Sequence, residues 1–179
     1  MTDKTQHWQS IFRQKSGAEL GWFESDFAQT LKFIHKANLA PGARVFIPGA
    51  GTSNLIDELY GMGFRLCLND LSEEALKQTQ DRLPGAKLDC YVANIAEPMA
   101  KTIDVDLWLD RAVLHFLLTE EEIQGYFDNL RASVKPGGFV LLAEFAKGGA
   151  IRCAGLDIVQ YDVATMQAEL GLDFKLIES

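Results

Sequence analysis

The sequence predicts a doubly wound α/β fold, a mostly parallel sheet with helices on both faces. Three observations predict it. The apolar residues switch repeatedly between a strand-like and a helix-like period, which is the pattern of successive βαβ units. Arg44-Val-Phe-Ile-Pro48 reads as a buried strand, and Gly49-Ala-Gly-Thr-Ser53 follows it directly as a bend into a helix. The length of 179 residues is close to the commonest size of one domain, with no repeat or linker to divide it.

The elements follow in order. Residues 3–14 read as a short helix with Trp8, Ile11 and Phe12 on one face, followed by an aromatic loop at Gly21-Trp22-Phe23. Asp26 is placed to cap a helix through about Ala37. The turn Pro41-Gly42 leads into the first strand, and the helix after the glycine bend spans about Asn54 to Tyr60, closed by Gly61 and Gly63. Phe64 to Asn69 is the second strand, and Ser72 caps the helix that ends at Pro84-Gly85. Leu88 to Val92 and Asp106 to Leu109 are strands three and four. Thr119 and Glu122 form a capping box for the next helix. Lys135-Pro-Gly-Gly138 turns into a fifth strand, Phe139 to Phe145. A helix near Val163–Leu170 and a strand Phe174–Glu178 close the chain.

Composition narrows the partners. A chain that is 47% hydrophobic and 23% charged is ordinary for a folded protein, and its net charge of -8 repels phosphate backbones. Nucleic acid is therefore not an expected partner. Cys67, Cys90 and Cys153 are scattered with no CxxC pair, which argues against a disulfide framework or a zinc site. No metal is expected. Nothing approaches the ~18 apolar residues of a membrane span, and the polar N-terminus lacks a signal core. The cytoplasm is the expected compartment.

The glycine bend has a physical task. Gly49 permits a tight turn, and Gly51 lets backbone approach a ligand closely. Asp70 stands 21 residues beyond Gly49 at the end of strand two, where a carboxylate accepts hydrogen bonds from both hydroxyls of a ribose. A glycine turn and a helix-capping aspartate would each look the same alone; the pair at this spacing points to a nucleoside. Dinucleotide sites normally carry a third glycine, and here that position is Asn54, which favours a nucleoside without a pyrophosphate.

Val45-Phe-Ile-Pro-Gly-Ala-Gly-Thr-Ser53, Asn69-Asp70-Leu-Ser72, Asp106-Leu-Trp-Leu-Asp-Arg-Ala-Val-Leu-His-Phe116 and Val134-Lys-Pro-Gly-Gly138 resemble the successive motifs of class I S-adenosylmethionine-dependent methyltransferases. The resemblance covers about residues 40–145. The flanks His7-Trp8, Gly21-Trp22-Phe23 and Arg152-Cys-Ala-Gly-Leu-Asp-Ile-Val-Gln-Tyr161 are similar to a small bacterial subgroup, and the N-terminal aromatics to thiopurine-type and protein-lysine methyltransferases.

The resemblance implies S-adenosylmethionine as cofactor, a Rossmann-like methyltransferase fold and methyl transfer to a small soluble acceptor. A protein lysine is the alternative acceptor, and a non-catalytic nucleoside-binding domain a further alternative. It implies that Gly49, Ala50 and Gly51 approach the methionine portion, Asp70 holds the ribose and Leu71 flanks the adenine. Asn94 and Ile95 would meet the adenine after strand three, and Asp110 would lie near the methionine amino group. Residues 1–38 would form a lid carrying Trp22, 39–145 the cofactor core, and 146–179 the acceptor side, as one domain over 1–179. Two departures stand out. Ile47 replaces the usual acid of strand one, and the family's last antiparallel strand is missing before Ser179. An open edge or a truncated chain is then expected.

Methyl transfer from a sulfonium is a direct displacement, so the protein chiefly aligns the reacting atoms. A general base is needed only where the acceptor must lose a proton, and Asp110, His115 and Glu144 are the candidates. Each has a bland reading too: Asp110 as a helix cap, His115 packed in a helix, Glu144 on the opposite face of its strand after a one-residue slip. Arg111 would pair with a nearby carboxylate or clamp an acidic acceptor.

Overall fold

In the computed structural model, which describes residues 3–15, 17–101, 103–111 and 113–179, five strands form the central sheet. They are β1 (Arg44–Ile47), β2 (Arg65–Asp70), β3 (Asp89–Val92), β4 (Val105–Asp110) and β5 (Val134–Leu142). Their order is β3-β2-β1-β4-β5 and all four pairings are parallel, with Val45 opposite both Leu66 and Leu107. Chain order reverses between β1 and β4, and the crevice beyond the carboxyl ends of those two strands is where open α/β sheets bind ligands.

Alternation within β1 shows why both faces are covered. Val45 and Ile47 pack into one apolar cluster with Ile34, Leu55, Ile56 and Leu59; Phe46 between them packs into the other, with Trp108, Tyr126, Phe127 and Leu130. Helices α2 (Ala28–Ala37) and α3 (Leu55–Gly61) therefore lie on one side, and α5 (Glu120–Ser133) on the other. Phe46 and Trp108 meet with ring centroids 4.4 Å apart. Burying two such rings contributes several kcal/mol at ~25 cal/mol per Å².

Helix α4 (Glu73–Arg82) is capped by Ser72, whose hydroxyl accepts from the Ala75 N–H. Thr119 and Glu122 form the expected reciprocal cap on α5. Asp26 also accepts from the backbone of the next helix, at Ala28 N–H, although the residue that flanks α2 is Phe27. The N-terminal helix α1 (Asp3–Gln14) is bolted onto α4: Gln9 accepts from Ser72 Oγ at 2.7 Å, and Gln78 donates to the Phe12 carbonyl.

Two expectations are corrected. The fifth strand begins at Val134, not Phe139, and ends at Leu142. Val134 pairs with Val105 and Phe139 with Leu107, so the Lys-Pro-Gly-Gly run loops out as an irregularity inside the strand. Asp106 anchors this by taking the Lys135 ammonium on one oxygen and the Arg44 N–H on the other. Helix α3 keeps its expected place, starting at Leu55 with Asn54 as the flanking residue. Second, Phe174–Glu178 is not a strand. A strand needs a neighbour to take its backbone groups, and this segment instead lays Phe174 against the core while Glu178 pairs with Lys32 and Lys36 of α2. Among the described residues no strand pairs with the outer edge of β5.

Between Phe145 and helix α6 (Val163–Leu170) the chain makes a small antiparallel hairpin, β6 (Arg152–Cys153) and β7 (Leu156–Asp157). It is clasped back to the body. Val159 N–H donates to the His115 carbonyl at 2.8 Å, and Tyr161 N–H to the Phe145 carbonyl.

Candidate active site

A cavity of about 750 Å³ opens at the sheet's switch point, within the range of small-molecule sites. Its floor is the run Ile47 to Ile56 after β1. Asp70 and Leu71 border it at the end of β2, Ala93 to Ile95 after β3, and Leu109 and Arg111 at the end of β4. Trp8, Phe12, Leu20, Trp22 and Phe23 form the opposite wall, and His115, Phe116, Phe145 and Cys153 close one end.

Gly49 and Gly51 both have φ near +54°, in the left-handed region where glycine is favoured. At Gly51 the constraint is double, because a Cβ there would stand 3.3 Å from Phe12 Cζ. The bend is held from behind. Ala50 N–H donates to Asn69 O, Thr79 Oγ1 donates to Gly51 O, and Arg82 bonds the Thr52 and Ser53 carbonyls while gripping Asp57.

Asp70 is nearly buried and lines the cavity. One carboxylate oxygen accepts from Gly51 N–H and the other from Ser72 N–H, both at 2.8 Å. Burial pushes its pKa up to about 6, against the lowering effect of those N–H bonds. A carboxylate offers about four lone-pair sites, so acceptor capacity remains for a ligand's hydroxyls. Leu71 and Ile95 present apolar surface to the same region. Asn94 also lines it, with its amide carbonyl already accepting from Ala96 N–H and its nitrogen donating to Glu97.

The structure does not bring Asp110 to the cavity. Its side chain is wholly buried, accepting from Tyr126 Oη at 2.7 Å and from the N–H groups of Val113 and Leu114. Tyr126 in turn accepts from Trp108 Nε1. These bonds make Asp110 the cap of the turn after β4, and Ile47 leaves the floor of the cavity apolar where an acid was the family expectation.

His115 lines the cavity and Glu144 stands behind it. Their side chains are 4% and 0% exposed, with Nδ1 and Oε2 2.5 Å apart. His115 Nε2 and Glu144 Oε1 are buried without a hydrogen-bond partner. Desolvation lowers the imidazole pKa to about 4. Desolvation and then the nearby Asp110 charge raise the Glu144 carboxyl well above the usual range. Glu144 lies two residues past the end of β5, so its inward turn comes from the chain beyond the strand.

Lys4, Glu24 and Gly125 were not singled out in the sequence, and the partners of Arg111, Trp8 and Trp22 were not legible there. Arg111 pairs with Glu24 at 2.6 Å, tying the aromatic loop to the end of β4. Lys4 spans from α1 to Glu122 and the Phe116 carbonyl. Trp8 stands edge-on to Trp22 and to Phe116. Gly125 of α5 has no room for a Cβ, which would fall 2.0 Å from the Ala96 carbonyl oxygen. All of these contacts join residues remote in sequence, which no local pattern announces.

The parallel sheet order, with the glycine bend and the cavity at its switch point, is that of a Rossmann-like fold of the methyltransferase type. Residues 48–140 match the methyltransferase-domain family, and the chain belongs to it. Its fold is that of class I S-adenosylmethionine-dependent methyltransferases, and S-adenosylmethionine is the family's cofactor. Among curated proteins, the mouse eEF1A lysine and N-terminal methyltransferase is 25% identical over 124 residues, covering 65% of this chain and 17% of that protein. The chain thus spans only 17–21% of the length of the curated relatives it matches. A methyltransferase in complex with the activator Trm112 from Haloferax volcanii superposes with a TM-score of 0.72 at 14% identity, over 95% of this chain and 75% of the other. A TehB-like methyltransferase from Corynebacterium glutamicum gives 0.65 at 14% identity, over 93% and 80%. No helix among the described residues is long and apolar enough to cross a membrane.

Proposed function

We propose that this chain transfers the methyl group of S-adenosylmethionine to a small soluble acceptor by direct displacement. The observation that carries the proposal is the buried Asp70 carboxylate standing against the Gly49–Gly51 bend at the sheet's switch point. In this reading Asp70 takes the ribose hydroxyls on its remaining acceptor capacity. Leu71 and Ile95 sandwich the adenine, Asn94 meets its polar edge, and Gly49, Ala50 and Gly51 lie along the methionine portion. The sulfonium supplies its own activation, so the residues around it need only align the acceptor and exclude water. Trp22, packed on Trp8, is the cover that keeps water out. Residues 1–38 act as the lid, 39–145 as the cofactor core and 146–179 as the acceptor side of one unit.

A small acceptor is favoured over a protein lysine by the charges on the walls. Lysine arrives as an ammonium and needs a carboxylate to receive it. Glu24 is committed to Arg111, Glu122 to Lys4 and Asp70 to two backbone N–H groups. The lysine reading is kept in view by the name of the curated relatives. Incubating the protein with methyl-labelled donor and a cell lysate separates the two. Label in the low-molecular-weight fraction supports the small acceptor, and label on lysine in protein bands supports the other.

A further inference from the structure

His115 and Glu144 form a buried polar pair where Phe116 and Phe145 close one end of the cavity. Glu144 Oε2 occupies His115 Nδ1 at 2.5 Å, in a setting where neither side chain is more than 4% exposed. The ring's other nitrogen, Nε2, is buried with no partner, although the ring itself borders the cavity between Phe116 and Phe145. An orphaned ring nitrogen is costly to bury unless a ligand completes it. The backbone fixes the ring as well, since the His115 carbonyl accepts from Val159 N–H at 2.8 Å.

Resting on the methyltransferase reading above, we propose that His115 and Glu144 form one proton-accepting pair, and that the acceptor is a small molecule carrying an O–H or S–H group. Glu144 is the positioning residue: it holds Nδ1, so that Nε2 is the nitrogen offered to the ligand. His115 is the catalytic residue. The acceptor's proton passes to Nε2, its oxygen or sulfur forms the new bond to the methyl carbon, and the methyl–sulfur bond of the donor breaks with its electron pair left on sulfur. One positive charge leaves the sulfonium and one proton reaches the pair, so charge balances.

The surroundings of Glu144 set the pH at which the pair can act. Asp110 faces it from β4, Tyr126 from α5, Tyr161 from the segment before α6, and His115 from the turn after β4. Asp110 is a negative neighbour, and burial disfavours a second charge. The pair therefore keeps a proton into a range where an ordinary carboxylate has lost it. With that proton bound the pair is net neutral and Nε2 carries hydrogen. Once the proton is lost, Nδ1–H donates to the Glu144 carboxylate and Nε2 offers a lone pair. Activity should rise with pH through this step.

Two probes, phenol and 2-mercaptoethanol, test the proposal with methyl-labelled S-adenosylmethionine. We expect transfer to at least one of them, with a rising pH limb common to every probe that reacts. His115→Gln should lower the rate by about 100-fold or more. Glu144→Gln should lower it too and move the limb down by at least one pH unit, because the shared proton is gone; a purely structural defect would lower the rate without moving the limb. Imidazole ¹⁵N NMR on the unliganded wild-type protein gives a readout free of turnover. His115 signals should shift with a titration above the ordinary carboxylate range, absent in Glu144→Gln. His115 signals insensitive to pH, or no transfer to either probe by a protein that binds S-adenosylhomocysteine, would overturn the pair. Failure to bind S-adenosylhomocysteine would instead overturn the underlying reading.

Discussion

Asp70 has the most demanding position in the chain, a carboxylate nearly buried yet facing a cavity. Its pKa of about 6 carries a signed consequence. In the free protein its value is raised, so its contribution to stability is fully present below the unfolded value and is lost as pH rises through about 6. A ligand whose hydroxyls donate to the ionised form has the opposite dependence. S-adenosylhomocysteine should therefore bind about tenfold more weakly at pH 5 than at pH 7, and calorimetry at the two values checks this. In Asp70→Asn that dependence should vanish. Both the glycine bend and this acid were legible in the sequence, because a turn and a carboxylate at fixed spacing are local facts. The placement of Asp110 was not, because its partner Tyr126 lies on a helix that only the folded chain brings beneath it.

The elements were readable where one residue type decides the outcome. Ser72 and Thr119 cap their helices as hydroxyls commonly do at that position. Thr119→Ala should cost about 0.5–2 kcal/mol in urea unfolding, since it opens both halves of the capping box. Boundaries that depend on a neighbour were less readable. Val134 belongs to β5 only because Val105 lies opposite it, and Phe174–Glu178 has the apolar content of a strand without a strand to pair with. Gly125 is the sharpest such case, a helix-interior glycine explained only by the Ala96 carbonyl against it. Gly125→Ala must push α5 away from the loop that carries Asn94 and Ile95. We expect a loss of about 1–3 kcal/mol of stability together with weaker S-adenosylhomocysteine binding, measured by thermal unfolding and calorimetry on the same samples.

At the scale of the whole molecule, the N-terminal segment is joined to the sheet domain by contacts spread over several elements. Gln9 reaches Ser72, Lys4 reaches Glu122, Glu24 reaches Arg111, and Trp22 packs on Trp8. The two ion pairs are partly exposed and contribute little, about 0–1 kcal/mol each, so the aromatic packing should dominate closure. Trp22→Ala is then expected to speed S-adenosylhomocysteine release in stopped-flow measurements, while Glu24→Gln should change it far less. Both depend on the claim beneath the whole account, that the bend at Gly49–Gly51 and the Asp70 carboxylate hold an adenosine ligand. Isothermal calorimetry with S-adenosylhomocysteine tests this most directly. The account predicts one site per chain, weakened by about 1–3 kcal/mol in Asp70→Ala; an absence of heat in the wild-type protein, or equal binding by the variant, would contradict it.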